Sequence, residues 1–176
     1  GDHVAIDPAV CGGCGMCGAV CPSGAAQTAF PPIDGSLTSL ANLHLYYSEA
    51  GGTAAQLLLH DGQWGLEMID MLARYGKGLP AALIPYEMHS VGRVGHDLLA
   101  GAVTLGFERV FVLMDPRKGP EYASLHQQIE LAEALLAGTG VATENRFALI
   151  EADDPDHVQQ ILWQTVKTSK YTSAPF

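Results

Sequence analysis

Cys11, Cys14, Cys17 and Cys21 are the only cysteines of the 176-residue chain, and they crowd into one short stretch. They read Cys11-Gly-Gly-Cys14-Gly-Met-Cys17-Gly-Ala-Val-Cys21-Pro22, a C-x2-C-x2-C-x3-C-P pattern. Two intervening residues let successive thiolates converge on one centre. Gly12, Gly13, Gly15 and Gly18 remove bulk, so that backbone N–H groups can approach the sulfurs and tune what the thiolates hold. Disulfide staples are spread along a chain to close larger loops. A tight cluster with no cysteine elsewhere reads instead as a metal site in a reducing compartment, which predicts a cytoplasmic protein. Three occupancies stay open: a [4Fe–4S] cluster, which this spacing favours; zinc, whose ribbon sites usually split their cysteines into two distant pairs; and thiols that bind nothing.

The motif resembles that of the bacterial-type 4Fe–4S ferredoxins, over about residues 3–30. The resemblance implies a one-electron carrier with Cys11, Cys14, Cys17 and Cys21 as cluster ligands. In two-cluster ferredoxins the fourth cysteine ligates the other cluster, bound mainly by a second four-cysteine motif. This chain has no second motif. Either the four residues hold one cluster together, or a partner half lies outside this sequence.

The elements that must position this loop follow from periodicity. Short strands are expected over 3–7 and 26–30, on either side of the cysteines. Pro31-Pro32-Ile-Asp-Gly35 breaks regular structure and marks a linker over 31–36. Helical spacing of Leu37, Leu40, Leu43 and Tyr47 predicts a helix over 37–50, closed by Gly51-Gly52. Strand and helix signals then alternate: strands over 55–60, 81–87, 109–114 and 147–151, and helices over 66–75, 96–105 and 121–137. A last helix starts at Asp154-Pro155 with Val158, Ile161 and Leu162 on one face. Near-continuous apolar strands alternating with helices mean a parallel sheet covered on both faces. The expected architecture is α/β: a small ferredoxin-like half-module (1–30), the linker, a flavodoxin-like or Rossmann-like domain with a parallel sheet (37–168), and a tail (169–176).

From about residue 60 to 166 the chain resembles the small iron–sulfur (delta) subunit of methyl-viologen-reducing hydrogenases. The stretches that carry this are 79–86 (LPAALIPY), 91–99 (VGRVGHDLL), 106–113 (GFERVFVL) and Asn145-Arg146-Phe147. The resemblance implies a domain that passes electrons toward heterodisulfide reductase. That family sets 2Fe–2S cysteines after these strands. Here the loops read His60-Asp61-Gly62, Pro85-Tyr86-Glu87 and Met114-Asp115-Pro116, so the scaffold and the redox setting carry over but not a second cluster.

Ligands of open α/β sheets sit outside the carboxyl ends of the strands. The residues expected there are His60, Asp61, Trp64, Glu87, His89, Asp115 and Arg117. His60, Asp61, Glu87 and His89 would suit a metal or small-molecule site. They would equally suit ordinary loop tips, with His60 and Asp61 capping the next helix, or a docking face anchored by Trp64 and Tyr86. Residues 92–97 (GRVGHD) open a helix and could cradle a nucleotide or flavin phosphate, or form a Gly-rich turn against the sheet. Met68, Met71, Met114 and Trp163 fall at or near expected core positions. No Ser-His-Asp or Cys-His catalytic arrangement is visible.

Composition narrows the function. Nine basic and 19 acidic residues give a net charge of −10, opposite to the basic footprint of nucleic-acid binders. Such a surface suits a basic face on a protein partner. Hydrophobic residues make up 48%, and no apolar run approaches the roughly 18 residues of a membrane span. Residue 1 is Gly, and a longer native chain is expected. The leading expectation is an electron-transfer module, working with a redox protein partner or further domains of the same chain. A cluster-fed enzyme domain with a small-molecule or flavin site at the strand ends, and a structural or assembly module for a redox enzyme, are the alternatives.

Overall fold

The computed structural model describes residues 5–166. Four parallel strands, β1 (Gln56–Asp61), β2 (Leu83–Met88), β3 (Arg109–Met114) and β4 (Phe147–Glu151), lie in the order β2-β1-β3-β4. Six helices accompany them: α1 (Met16–Val20), α2 (Ile33–Glu49), α3 (Trp64–Tyr75), α4 (His96–Thr104), α5 (Leu125–Gly138) and α6 (Pro155–Thr165). The protein has an α/β fold. Its strand order is the 2-1-3-4 run with which flavodoxin-like sheets begin, not the 3-2-1-4 run of the Rossmann arrangement.

Strand composition explains the layering. β1 is buried along its whole length and β3 nearly so, as central strands covered on both faces must be. Alternate residues serve opposite layers. Leu57, Leu59, Val110 and Val112 pack with Leu40 of α2, Leu99 of α4, and Leu125 and Leu136 of α5. Leu58, Phe111 and Leu113 pack with Met68 and Leu72 of α3 and with Val158 and Leu162 of α6. β2 and β4 are the edges and are more open, and Pro85, which has no N–H to give, is tolerated in β2 for that reason.

Several expected boundaries move. Residues 5–7 and 26–30 form no strand; residues 3 and 4 lie outside the described residues. Neither segment has a neighbouring strand to pair with, and one helical turn, α1, forms inside the cysteine loop instead. α2 begins at Ile33, within the expected linker. Pro32 occupies its N-cap and Asp34 its first turn, where a carboxylate is favoured by the helix dipole. The long helix expected over 121–137 is confined to Leu125–Gly138, because Pro116, Gly119 and Pro120 hold the preceding Pro116–Tyr122 segment in 3-10 turns. The expected tail, and the last residues of the expected α/β domain, lie outside the described residues. Met68 and Met114 are buried as expected, whereas Met71 and Trp163 are each 37% exposed. The Trp163 indole N–H donates to the Gly78 carbonyl.

Candidate functional site

The cysteine loop lies against the turn that follows β2. Ser90 opens that turn, its hydroxyl accepting from the Gly92 N–H at 3.1 Å, and residues 91–93 form a 3-10 turn. α1 packs on it closely at two glycines. Gly15 has φ +79°, and a Cβ there would stand 2.7 Å from Cβ of Arg93. A Cβ on Gly95 would stand 3.2 Å from the Ala19 carbonyl. Arg93 makes the second tie, donating from Nη2 to the Pro31 carbonyl at 2.7 Å. One residue thus carries the wall against which α1 rests and the bond that holds the chain between α1 and α2.

All four cysteines are free. Cys11 and Cys17 are exposed, Cys14 and Cys21 half-buried. The backbone reaches two of the sulfurs, one from within the glycine-rich spacing and one from beyond it. Gly13 N–H donates to Cys11 Sγ at 3.4 Å and Ala26 N–H to Cys21 Sγ at 3.3 Å, with Ser23 Oγ 3.6 Å from Cys21 Sγ. The Ala26 N–H, and after it Ser23, draw the Cys21 thiol down from 9.0 to about 7. Soft thiols, one of them held toward its thiolate form by N–H donors, are the donor set that iron–sulfur clusters use. Among the described residues no three His, Cys, Asp or Glu side chains stand together as a metal-holding group, the cysteines included.

The polar residues at the strand ends are divided among separate tasks. Asp61 Oδ1 accepts from Gln63 N–H at 3.0 Å and Gly65 N–H at 2.9 Å, so this carboxylate starts α3. His60 does not cap: its buried ring faces the Asp61 carbonyl through Nδ1 at 2.9 Å. Asp115 is buried and binds Arg117 through both carboxylate oxygens, at 2.8 and 2.9 Å. The Arg117 side chain, against the opposing cost of burial, holds the Asp115 carboxyl below its usual range. Lys118 Nζ approaches Asp61 Oδ2 at 3.9 Å and joins the two acids into one network. Glu87 is exposed and lies over Gly62, whose Cβ would meet Glu87 Oε1 at 2.6 Å. His89 reaches the cysteine loop: a Cβ on Gly13 would stand 4.0 Å from its Nε2.

Trp64 and Tyr86, the expected docking anchors, are half-buried and pack against the two cores. In 92–97 the N–H groups of Gly92 and His96 are taken by Ser90 Oγ and Gln128 Oε1. Sequence reasoning missed Arg93, which it read as part of that possible phosphate loop. The small residues on either side, Gly92 and Gly95, were the visible signal of a close approach, but not of what approaches. Compared with known proteins, the chain matches no family model and no curated sequence.

Proposed function

We propose that the chain is an iron–sulfur electron-transfer module in which Cys11, Cys14, Cys17 and Cys21 hold a [4Fe–4S] cluster. The observation that carries this reading is the C-x2-C-x2-C-x3-C-P spacing with all four thiols free on one glycine-rich loop. When bound, such a cluster takes up and releases one electron at a time. The chain's own residues then have definite tasks. The Gly13 and Ala26 N–H groups donate to the sulfurs of Cys11 and Cys21, which favours negative charge there. Arg93 anchors the loop to the sheet through Pro31. Exposed Cys11 and Cys17 leave one side of the loop open to a redox partner. The net charge of −10 suits a partner with a basic docking face. Among the described residues no helix is long and apolar enough to cross a membrane. A reducing compartment, the cytoplasm, fits four free thiols.

The test is anaerobic purification, reconstitution with iron and sulfide, metal analysis, and EPR before and after dithionite. The expected result is about four irons and four sulfides per chain, as a cubane requires, with a signal that appears on reduction. Absent iron, or stoichiometric zinc, overturns the proposal.

A further inference from the structure

Large apolar residues stand in water on and around the cysteine loop. Val10 precedes Cys11 and Val20 precedes Cys21; both are exposed, as are Ile6, Phe30 and Ile33. A single exposed apolar residue is ordinary, whereas a group of them marks an interaction face. Phe30 is the extreme case, at 86% exposed, and its backbone is held on both sides. Thr28, two residues before it, lies against α1: a Cβ on Gly18 would stand 3.3 Å from the Thr28 N and Oγ1. Pro31, directly after it, is the residue whose carbonyl accepts from Arg93 Nη2. Phe30 is thus placed two residues from a close approach to Gly18, which follows exposed Cys17. An aromatic presented on a backbone already tied down loses little freedom when a partner covers it, which is the property of an interface anchor.

The charge around this face has one sign. No lysine or arginine precedes Arg74 in the sequence. Asp7 is exposed three residues before Val10, and Asp34 is exposed directly after Ile33. Exposed Asp97 borders, with Ile33 and Asp34, the opening beneath the cysteine loop. Among the described residues that line this opening, Arg93 is the one lysine or arginine, and its guanidinium is engaged by Pro31. Two copies of the chain meeting through this face would bring like charges together, whereas a cationic rim would be drawn to it. We propose that the apolar residues around the cysteine loop, anchored by Phe30 and edged by Asp7, Asp34 and Asp97, form a docking face for a redox protein. That partner's contact face is apolar at its centre and rich in lysine or arginine at its rim. The inference rests on the electron-transfer reading and specifies the partner of that same site.

The test is calorimetric titration of cytochrome c, a lysine-rich haem protein, into the full chain after reconstitution, with iron measured on the same samples. Saturable binding that weakens as salt is raised is expected, and acetylation of the cytochrome lysines is expected to abolish it. Phe30→Ser is expected to weaken binding about tenfold, as loss of an anchor does. Tyr75→Ser is the control: Tyr75 is equally exposed, at 86%, but lies at the far end of α3, and its loss is expected to leave the affinity unchanged. No binding, equal affinities for Phe30→Ser and the parent, equal losses in Phe30→Ser and Tyr75→Ser, or self-association of the chain that Phe30→Ser abolishes each overturns the proposal. The iron-free chain is titrated in parallel, so the two readings fail separately. Absent iron with Phe30-dependent binding overturns the cluster alone; full iron with Phe30-independent binding overturns the docking face alone.

Discussion

Gly15 is the position at which the docking of the cysteine loop can be measured. Its φ of +79° lies in the left-handed region, and the direction its Cβ would take ends 2.7 Å from Cβ of Arg93. Two penalties therefore act on Gly15→Ala. The left-handed backbone costs an L-residue about 1–2 kcal/mol. The overlap is with the root of a side chain rather than its flexible end, and such overpacking costs about 1–3 kcal/mol more. The sum is about 2–5 kcal/mol. Two neighbours separate the terms. Gly13 shares the left-handed φ, at +71°, but its Cβ would meet nothing nearer than 4.0 Å, so Gly13→Ala tests strain alone at about 1–2 kcal/mol. Gly12 has neither feature, and Gly12→Ala is expected to fall within about 0.5 kcal/mol of the parent. Hydrogen exchange at the Gly18 and Ala19 amides, which donate to the Gly15 carbonyl at 3.0 and 3.2 Å, reads the local opening. Gly15→Ala is expected to speed this exchange by at least about thirtyfold, or to the unprotected limit, with Gly13→Ala intermediate. The tryptophan-monitored unfolding midpoint of the α/β body stays in place. Exchange in Gly15→Ala no faster than in Gly12→Ala would refute the docking of α1 on Arg93.

Three further perturbations follow from single groups. Gln56 is fully buried in β1 with both amide atoms unpartnered; Gln56→Met removes that desolvated amide at similar volume and is expected to stabilise the chain by about 1–3 kcal/mol in urea unfolding, and a lower midpoint would contradict this account. The Cys21 thiol, at about 7, owes its shift first to the Ala26 N–H. Ala26→Pro removes that donor, so in iron-free protein alkylation of Cys21 should require a higher pH, toward the ordinary 9.0; an unmoved alkylation profile would assign the shift elsewhere. The Asp115 carboxyl is lowered below 3.8 chiefly by Arg117. A depressed folded-state value gives stability that is fully present above the unfolded value and is lost as pH falls through the folded one. Asp115→Asn should therefore flatten the acid limb of the stability profile below pH 3.8, and parallel profiles for the two proteins would count against the Asp115–Arg117 pair.

The sheet was legible in the sequence where strands are buried on both faces. The run Arg-Val-Phe-Val-Leu-Met gives β3 its full bounds, and Leu57, Leu58 and Leu59 mark β1 because no alternative period fits three consecutive leucines. The segments around the cysteines misled for a physical reason. A strand exists only with a partner, and the alternation in 26–30 says nothing of whether another strand arrives beside it. Pro-Ile-Asp-Gly at 32–35 reads as a breaker by composition, yet proline and a first-turn acid also begin helices. The cysteine pattern was legible as spacing, since it is local. Its setting was not. Arg93 meets Pro31 across 62 residues of chain, and nothing in either segment names the other.

The topology also bears on where a ligand would be held. A doubly wound sheet offers a crevice where its strand order reverses, here between β1 and β3. In this chain the acids at that point are already employed: Asp61 starts α3, Asp115 grips Arg117, and Lys118 bridges toward Asp61. A ligand entering there would have to part the buried Asp115 carboxylate from the largely exposed Arg117 or uncap a helix, each a cost of about 1–3 kcal/mol.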